Sequence, residues 1–338
     1  MREMFGKIAG LLNGGKDLVL VTVIASSGST PRGAGARMLI TEDGRVCGTI
    51  GGGAVEYRSE HIAAQVLKDK CSGEQDFSLT KDDVQKLGMI CGGAVNVFFR
   101  YIPAGDRETL AVAEKAEELF REGHDIWLVS EISADGRLGL YTQEHGYFNV
   151  DAPEWLNSFM TRHPRRETQD GRDFYVEQIN SSGRVYVFGC GHVAQELVPV
   201  LSHVDFRCVA LDDRPEFARK ELFPAAEEVK LIDFEHISDY VDITKEDYVC
   251  VMTRGHAFDT VVQAQMLRTE ACYIGVIGSA HKKAGVFRRL VEEFGIDESE
   301  LARITSPIGI SIKAETPAEI AVSIAAQMIE LRARRNEV

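Results

Sequence analysis

The stretch that most narrows the fold is Arg184-Val185-Tyr186-Val187-Phe188-Gly189-Cys190-Gly191-His192-Val193-Ala194. Its β-branched and aromatic run predicts a buried strand, and the two glycines predict a tight turn that opens a helix. In such a turn the first glycine allows the sharp bend and the second lets backbone approach a ligand. The small residue at 194 lets the helix pack on the strand. Asp212 closes the next apolar run, about twenty residues on, where a carboxylate can bond a ribose 2′-hydroxyl. Apolar runs at 248–252 and 273–277, with a helical stretch near 259–269 between them, continue the alternation. A β-α-β-α-β order predicts a parallel sheet with helices on its faces, a Rossmann-type domain.

Ligands collect at the carboxyl ends of the strands in such a sheet. Gly189, Gly191 and His192 stand at one strand end, Arg254, His256 and Asp259 at another, and Gly278 and Ser279 at a third. Backbone amides and positive side chains there suit an anionic group. A nucleotide is one occupant this pattern allows. Asp212 would repel a 2′-phosphate, so NAD fits better than NADP. His192 and His256 also read as turn residues with no chemistry.

The first half is patterned differently. A helix is expected over 2–13, then strands at 18–24, 37–41 and 46–50, with Asp43-Gly44 centring a hairpin turn. A helix over 54–68 and strands at 77–80 and 94–101 complete an α/β module. Beyond it come a helix at 109–122, a strand pair at 125–132 and 137–142, and a polar stretch at 151–172 that reads as a surface connector. A strand at 172–178 follows. Asn180-Ser181-Ser182-Gly183 interrupts the pattern, so the domains are expected at 1–178 and 179–338, and no repeat is evident along the chain.

Three glycine-bearing loops punctuate this module: Gly28-Ser29-Thr30-Pro31-Arg32-Gly33-Ala34-Gly35-Ala36-Arg37, Gly48-Thr49-Ile50-Gly51-Gly52-Gly53-Ala54-Val55-Glu56, and Cys91-Gly92-Gly93. Successive free amides form anion-binding concavities. Arg32, Gly33, Gly35 and Arg37, with Gly51, Gly52, Gly53 and Glu56, are therefore candidate ligand contacts. The same loops also read as tight turns in a β-rich domain, with Glu56 complementing the positive end of its own helix. Cys91 lies between loop residues, where glycines give access and open amides lower a thiol pKa. It equally suits a small filler in a turn.

Composition sets limits. A net charge of −14 argues against nucleic acid as the main partner. No apolar run reaches the ~20 residues that span a bilayer. The polar-interrupted start does not read as a signal peptide, so a cytoplasmic protein is expected. Seven cysteines include no C-x-x-C pair, which disfavours a structural zinc site, and their odd number disfavours a disulfide framework. Cys208, Cys250 and Cys272 sit inside strand-like runs and are expected in the core.

The glycine phrases at 28–38, 48–56 and 91–93 resemble the N-terminal module of the XdhC/CoxI family. Phe188–Ala194, Asp212-Asp213-Arg214, Thr253–Asp259, Tyr273–Ser279, Ser306–Gly309 and Ala314–Ala321 resemble its Rossmann module; only about 101–178 carries no family phrase. The resemblance implies an accessory factor for molybdenum hydroxylases such as xanthine dehydrogenase. Such a factor binds molybdenum cofactor (molybdopterin), supports its sulfuration by a cysteine desulfurase and hands it to the apoenzyme. It further implies a cofactor chaperone more than a catalyst, and a homodimer. In that light Cys91 is the candidate thiolate for molybdenum or a persulfide. An NAD-dependent oxidoreductase is the alternative, although no proton donor paired with a substrate-binding arginine stands out.

Overall fold

The computed structural model describes residues 1–28, 32–78, 93–181, 183–254, 256–278 and 280–335, with backbone alone at 256, 257 and 280–282. The apolar run at 18–24 is continuous because both faces of its strand are covered. Leu18 and Leu20 enter one buried cluster, while Val19, Val21 and Val23 enter another. This strand, β1 (Leu18–Ser27), is the centre of an antiparallel sheet. Its companions are β2 (Arg37–Thr41), β3 (Gly44–Thr49), β4 (Gly73–Ser78) and β5 (Ala94–Ile102), in the order β3-β2-β1-β5-β4. Helix α1 (Arg2–Asn13) covers one face and α2 (Gly53–Asp69) the other.

The next stretch repeats that topology. Helix α3 (Arg107–Glu122) leads into β6 (Ile126–Glu131), β7 (Leu138–Thr142), β8 (Gly146–Phe148), β9 (Arg165–Gln169) and β10 (Arg172–Asn180). Their order is β8-β7-β6-β10-β9, the first sheet's order shifted by five strands. Where the first half has α2, the second has a 3₁₀ turn at Glu154–Phe159. The chain thus holds an internal duplication of fold although no sequence repeat is evident. Helices α1 and α3 share one core cluster, with Phe5 and Phe120 ring centroids 6.2 Å apart.

Residues 151–172 are not the surface connector that their composition suggests. Leu156 is fully buried, Trp155 packs edge-on against Phe174, and β9 pairs with β10 along its length. The misleading signal is the charge of β9, which lies at the sheet edge where charged side chains are tolerated and protective.

Residues Met1–Ser181 form one compact unit and Ser182–Val338 another. The second unit has a six-stranded parallel sheet: β11 (Arg184–Phe188), β12 (Arg207–Asp212), β13 (Glu228–Leu231), β14 (Tyr248–Val251), β15 (Tyr273–Val276) and β16 (Ile304–Thr305). Its order, β13-β12-β11-β14-β15-β16, is that of a Rossmann domain. Val185 and Val187 face a core shared with α4 (His192–His203) and the C-terminal helix α7 (Pro317–Arg335); Tyr186 and Phe188 face a core shared with α5 (His256–Leu267) and α6 (Ala280–Phe294). Cys208 and Cys250 lie in these cores as expected, but Cys272 does not. It is exposed just before β15, with its Sγ donating to the Asp247 carbonyl at 3.0 Å. Among the described residues no helix is long and apolar enough to cross a membrane.

Candidate functional site

Strand register brings the glycine loops of the first unit to one end of their sheet. Thr22 pairs with Arg37 and Arg37 with Thr49, so β2 begins and β3 ends together where the β1–β2 ladder stops, and β1 runs on to Ser27. Ser27 and Ser78 both pair with Ala94, so β4 ends and β5 begins at the same edge. The 28–36 loop, the Gly51–Gly53 turn and the Gly93 entry into β5 therefore share one rim. Cys91 itself lies outside the described residues.

Several of the expected ligand contacts at this rim are engaged within the protein. Arg37 is buried and forms a two-point pair with Glu177 on β10, at 3.0 and 2.6 Å. Its guanidinium also donates to the Gly35 carbonyl. Burial opposes the charge on Glu177, yet Arg37 and the Tyr175 hydroxyl hold its carboxyl below the usual range. The Gly35 amide donates to the Val23 carbonyl at 2.9 Å, and a side chain at this position (φ +96°) would press on the Glu177 carboxylate. Arg37 and Gly35 are thus a structural joint between two strands of different sheets, not a phosphate clamp.

The triple-glycine turn is likewise filled, by a carboxylate of its own. Glu56, in the first turn of α2, accepts the amides of Ile50 at 3.0 Å and Gly52 at 3.1 Å. It also accepts Thr49 Oγ1 and Arg45 Nη1, and Thr49 Oγ1 in turn accepts the Gly51 amide. Burial raises the Glu56 pKa, but these donors outweigh it and leave the carboxyl below its ordinary value. The concavity expected for an outside anion is occupied by Glu56, so Gly51, Gly52 and Glu56 form a helix cap. What stays open at the rim is Arg32, Gly33 and Gly53, all exposed.

In the second unit the sheet order reverses direction between β11 and β14, and the crevice outside that point is the ligand position of open α/β sheets. Gly189 makes the turn with φ +108°. A side chain there would stand 2.3 Å from the Met252 carbonyl, so only glycine allows β11 and β14 to close. Its amide donates to Leu211, and the Cys190 amide donates to Asp212 at 2.7 Å. Asp212 is buried and further accepts the Arg214 amide and guanidinium at 2.8 to 3.0 Å. Burial works against its charge, but Arg214 and the Cys190 amide outweigh it and hold the carboxyl below its ordinary value. Its expected bond to a ribose hydroxyl is therefore replaced by an internal brace, and Arg214 is the functional-looking residue that sequence reasoning missed. Its signal was present in the phrase Asp212-Asp213-Arg214. Asp213 is pushed up by burial and by its charged neighbour.

The helix starts on this edge are less filled. No side chain caps α4, and neither α4 nor α6 carries an acid in its first turn. Helix α5 does carry Asp259, held by Thr253 Oγ1 at 2.6 Å. At Gly191 and Gly278 nothing lies within 4 Å of where a side chain would start, so ligand could approach either backbone. His192, Arg254 and Gly278 are exposed beside them. His256 begins α5, its side chain not described, and Ser279 lies outside the described residues. Three adjacent strands thus run into three helices whose positive ends share one edge, with one guanidinium beside them. The three buried thiols of this unit are not part of this chemistry: burial raises Cys190 and Cys208 to about 12 and Cys250 further.

Comparison with known proteins adds identity to this geometry. A family model described as the XdhC and CoxI family matches residues 11–78, and one described as the XdhC Rossmann domain matches 185–328. The chain is 26% identical to a protein of Bacillus subtilis named as a probable subunit of xanthine dehydrogenase, over 96% of each chain. It is 24% identical to the molybdenum cofactor insertion chaperone PaoD of Escherichia coli, over 96% of this chain and 87% of that one. A crystal structure of a xanthine dehydrogenase from Bacillus halodurans superposes with a TM-score of 0.78 at 26% identity, covering 99% of this chain and 96% of the other.

Proposed function

The chain belongs to the XdhC and CoxI family, and from that premise we propose that it is an accessory factor for a xanthine dehydrogenase-type molybdenum hydroxylase. It holds molybdenum cofactor as cargo and delivers it to the apoenzyme. The observation that carries the reading is the carboxyl edge of the parallel sheet, where the starts of α4 and α6 are free of first-turn acids and Arg254 stands exposed. That edge suits the cargo's phosphate. A relative named as a molybdenum cofactor insertion chaperone supports this choice of cargo.

The finer assignments belong to the same reading. Arg32 and Gly33 contribute a second anion contact at the rim of the first sheet. Cys91 supplies a soft thiolate for the metal or for sulfur passed from a cysteine desulfurase. The protein acts by holding and handing over. A dinucleotide-dependent oxidoreductase is the weaker reading because Asp212, its key ribose contact, is already committed to Arg214 and Cys190.

The test is molybdenum retention. Purified chain is loaded with cofactor, passed through gel filtration, and its molybdenum measured by mass spectrometry across a dilution series. Arg254→Ala is expected to weaken retention about tenfold or more, since a hydrogen bond to a charged group is worth roughly 1.5–3 kcal/mol. Retention by Arg254→Ala equal to that of the parent would remove the assignment of this edge.

A further inference from the structure

The second sheet of the first unit carries a cluster that the proposed function does not use. Glu122, His124 and His145 each offer one ligand atom, and these atoms lie within 4.8 Å of one another. Glu122 Oε2 is 3.2 Å from His124 Nε2, and Glu144 Oε2 is 3.5 Å from the opposite ring nitrogen, Nδ1. The His124 and His145 rings stand edge to face, with centroids 5.2 Å apart.

Backbone geometry fixes this corner. Glu122 ends α3, and Gly123 in the left-handed region (φ +80°) turns the chain so that His124 stands beside it. The His124 carbonyl accepts Asn180 Nδ2 at 2.6 Å. His145 sits in the turn between β7 and β8, its amide held by Thr142 Oγ1 at 3.0 Å. The negative end of the α3 dipole points at the cluster and favours a cation.

The duplicated fold has a counterpart for this corner, between the end of α1 and the β2–β3 turn. There Lys16, two residues before β1 as His124 is two residues before β6, pairs through Nζ with Glu42 at 2.7 Å and Asp43 at 3.2 Å. In the second sheet the same corner is built from two carboxylates and two imidazoles. We propose that Glu122, His124 and His145 bind a divalent transition-metal ion, with zinc the best fit to a two-histidine, one-carboxylate set.

Tetrahedral zinc with ligand bonds of about 2.0–2.2 Å sets its ligand atoms roughly 3.3–3.5 Å apart. The Glu122–His124 separation is close to this, and closing the remaining gaps, at most 4.8 Å, needs side-chain movements of up to about 1.5 Å. Glu144 Oε2 lies 3.5 Å from His124 Nδ1, on the side of the ring away from Glu122, where a carboxylate behind a ligating histidine orients the ring with Nε2 toward the metal. The fourth position falls to water or to a donor from outside. Bound there, the ion clips the end of α3 to the β7–β8 turn.

The experiment uses the full chain, stripped with a chelator and titrated with zinc chloride against a competing chromophoric chelator. Cobalt(II) serves as the spectroscopic probe, because it separates nitrogen and oxygen ligation from thiolate ligation. One high-affinity site with a cobalt spectrum lacking thiolate charge transfer is expected. His124→Ala and His145→Ala should each weaken that site at least tenfold, and Glu122→Gln should weaken it while leaving circular dichroism unchanged. Crystals soaked in zinc should give an anomalous peak between the three side chains. Unchanged affinity in all three variants, a thiolate spectrum in the parent protein, or an anomalous map without that peak would each overturn the proposal.

Discussion

The two sheets of the first unit share one strand order and differ in their loops. In the first, β1 and β2 are joined by residues 28–36, β3 and α2 by 50–52, and β4 and β5 by 79–93, all glycine-bearing. In the second, the corresponding connections are residues 132–137, 149–153 and 170–171, which hold two glycines in total. The second half shows that this topology closes with few glycines in these connections. The glycines of the first half are therefore additions to the scaffold, and connections on a rigid frame are where function collects. The comparison also sorts arginines. Arg37 reaches Glu177 of the second half, Arg100 reaches Ser130 and the Glu131 carbonyl, and Arg166 reaches back to Asn96 and Glu74. These three join the sheets, while Arg32 stands exposed at the rim.

The sharpest way to break this division is to remove the joint. Arg37→Ala strands a buried carboxylate and should cost about 3–5 kcal/mol in chemical denaturation. The double replacement Arg37→Met with Glu177→Leu should recover most of that loss. A next, smaller effect is expected from Glu56→Ala, which frees the amides of Ile50 and Gly52 and should cost about 1–3 kcal/mol. It should also create the anion site that Glu56 now fills, so inorganic phosphate should raise the thermal midpoint of Glu56→Ala more than that of the parent protein. Equal response would mean that the turn collapses when emptied.

Acid should act through the same carboxylates. Glu177 and Glu56 both sit below the ordinary value of 4.5 in the folded chain. A depressed carboxyl contributes stability that is complete above the unfolded value and is lost as pH falls through the folded one. Denaturation midpoints should therefore hold from neutrality down to about pH 4.5 and then decline. In the Arg37→Met, Glu177→Leu double variant the decline should be shallower. The smallest effect separates rim from frame. Arg32→Ala and Arg165→Ala, both exposed, should each change stability by less than about 0.5 kcal/mol, yet only Arg32→Ala should lower molybdenum retention. If Arg165→Ala lowers it equally, the loss reflects overall charge and not the rim.

Much of the strand content was legible because continuous apolar runs leave little choice: Leu18–Ile24 and Val185–Phe188 can only be strands covered on both faces. The Rossmann turn was legible for the same reason. The duplication was not, because what the halves share is strand order and burial, while their loops have diverged. Arg37 was misread because its partner lies 140 residues away, and no local pattern announces such a pairing. Glu56 was half legible. An acid in the first turn after a glycine run is a signal that the amides already have an anion, and α4, which follows the Gly189 turn, has no such acid. Arg214 shows the limit of a fingerprint: the spacing to Asp212 was right, but the residue two positions later decides what that carboxylate does.

Three of the seven cysteine sulfurs, those of Cys190, Cys208 and Cys250, are sealed inside the parallel sheet and held as neutral thiols. An alkylating reagent added to native protein can therefore count no more than the remaining four. A persulfide adduct measured on the intact chain starts from a low background, and a fifth label reports that the β11–β14 core has opened. The buried cysteines thus act as an internal gauge of folding in any assay that follows sulfur.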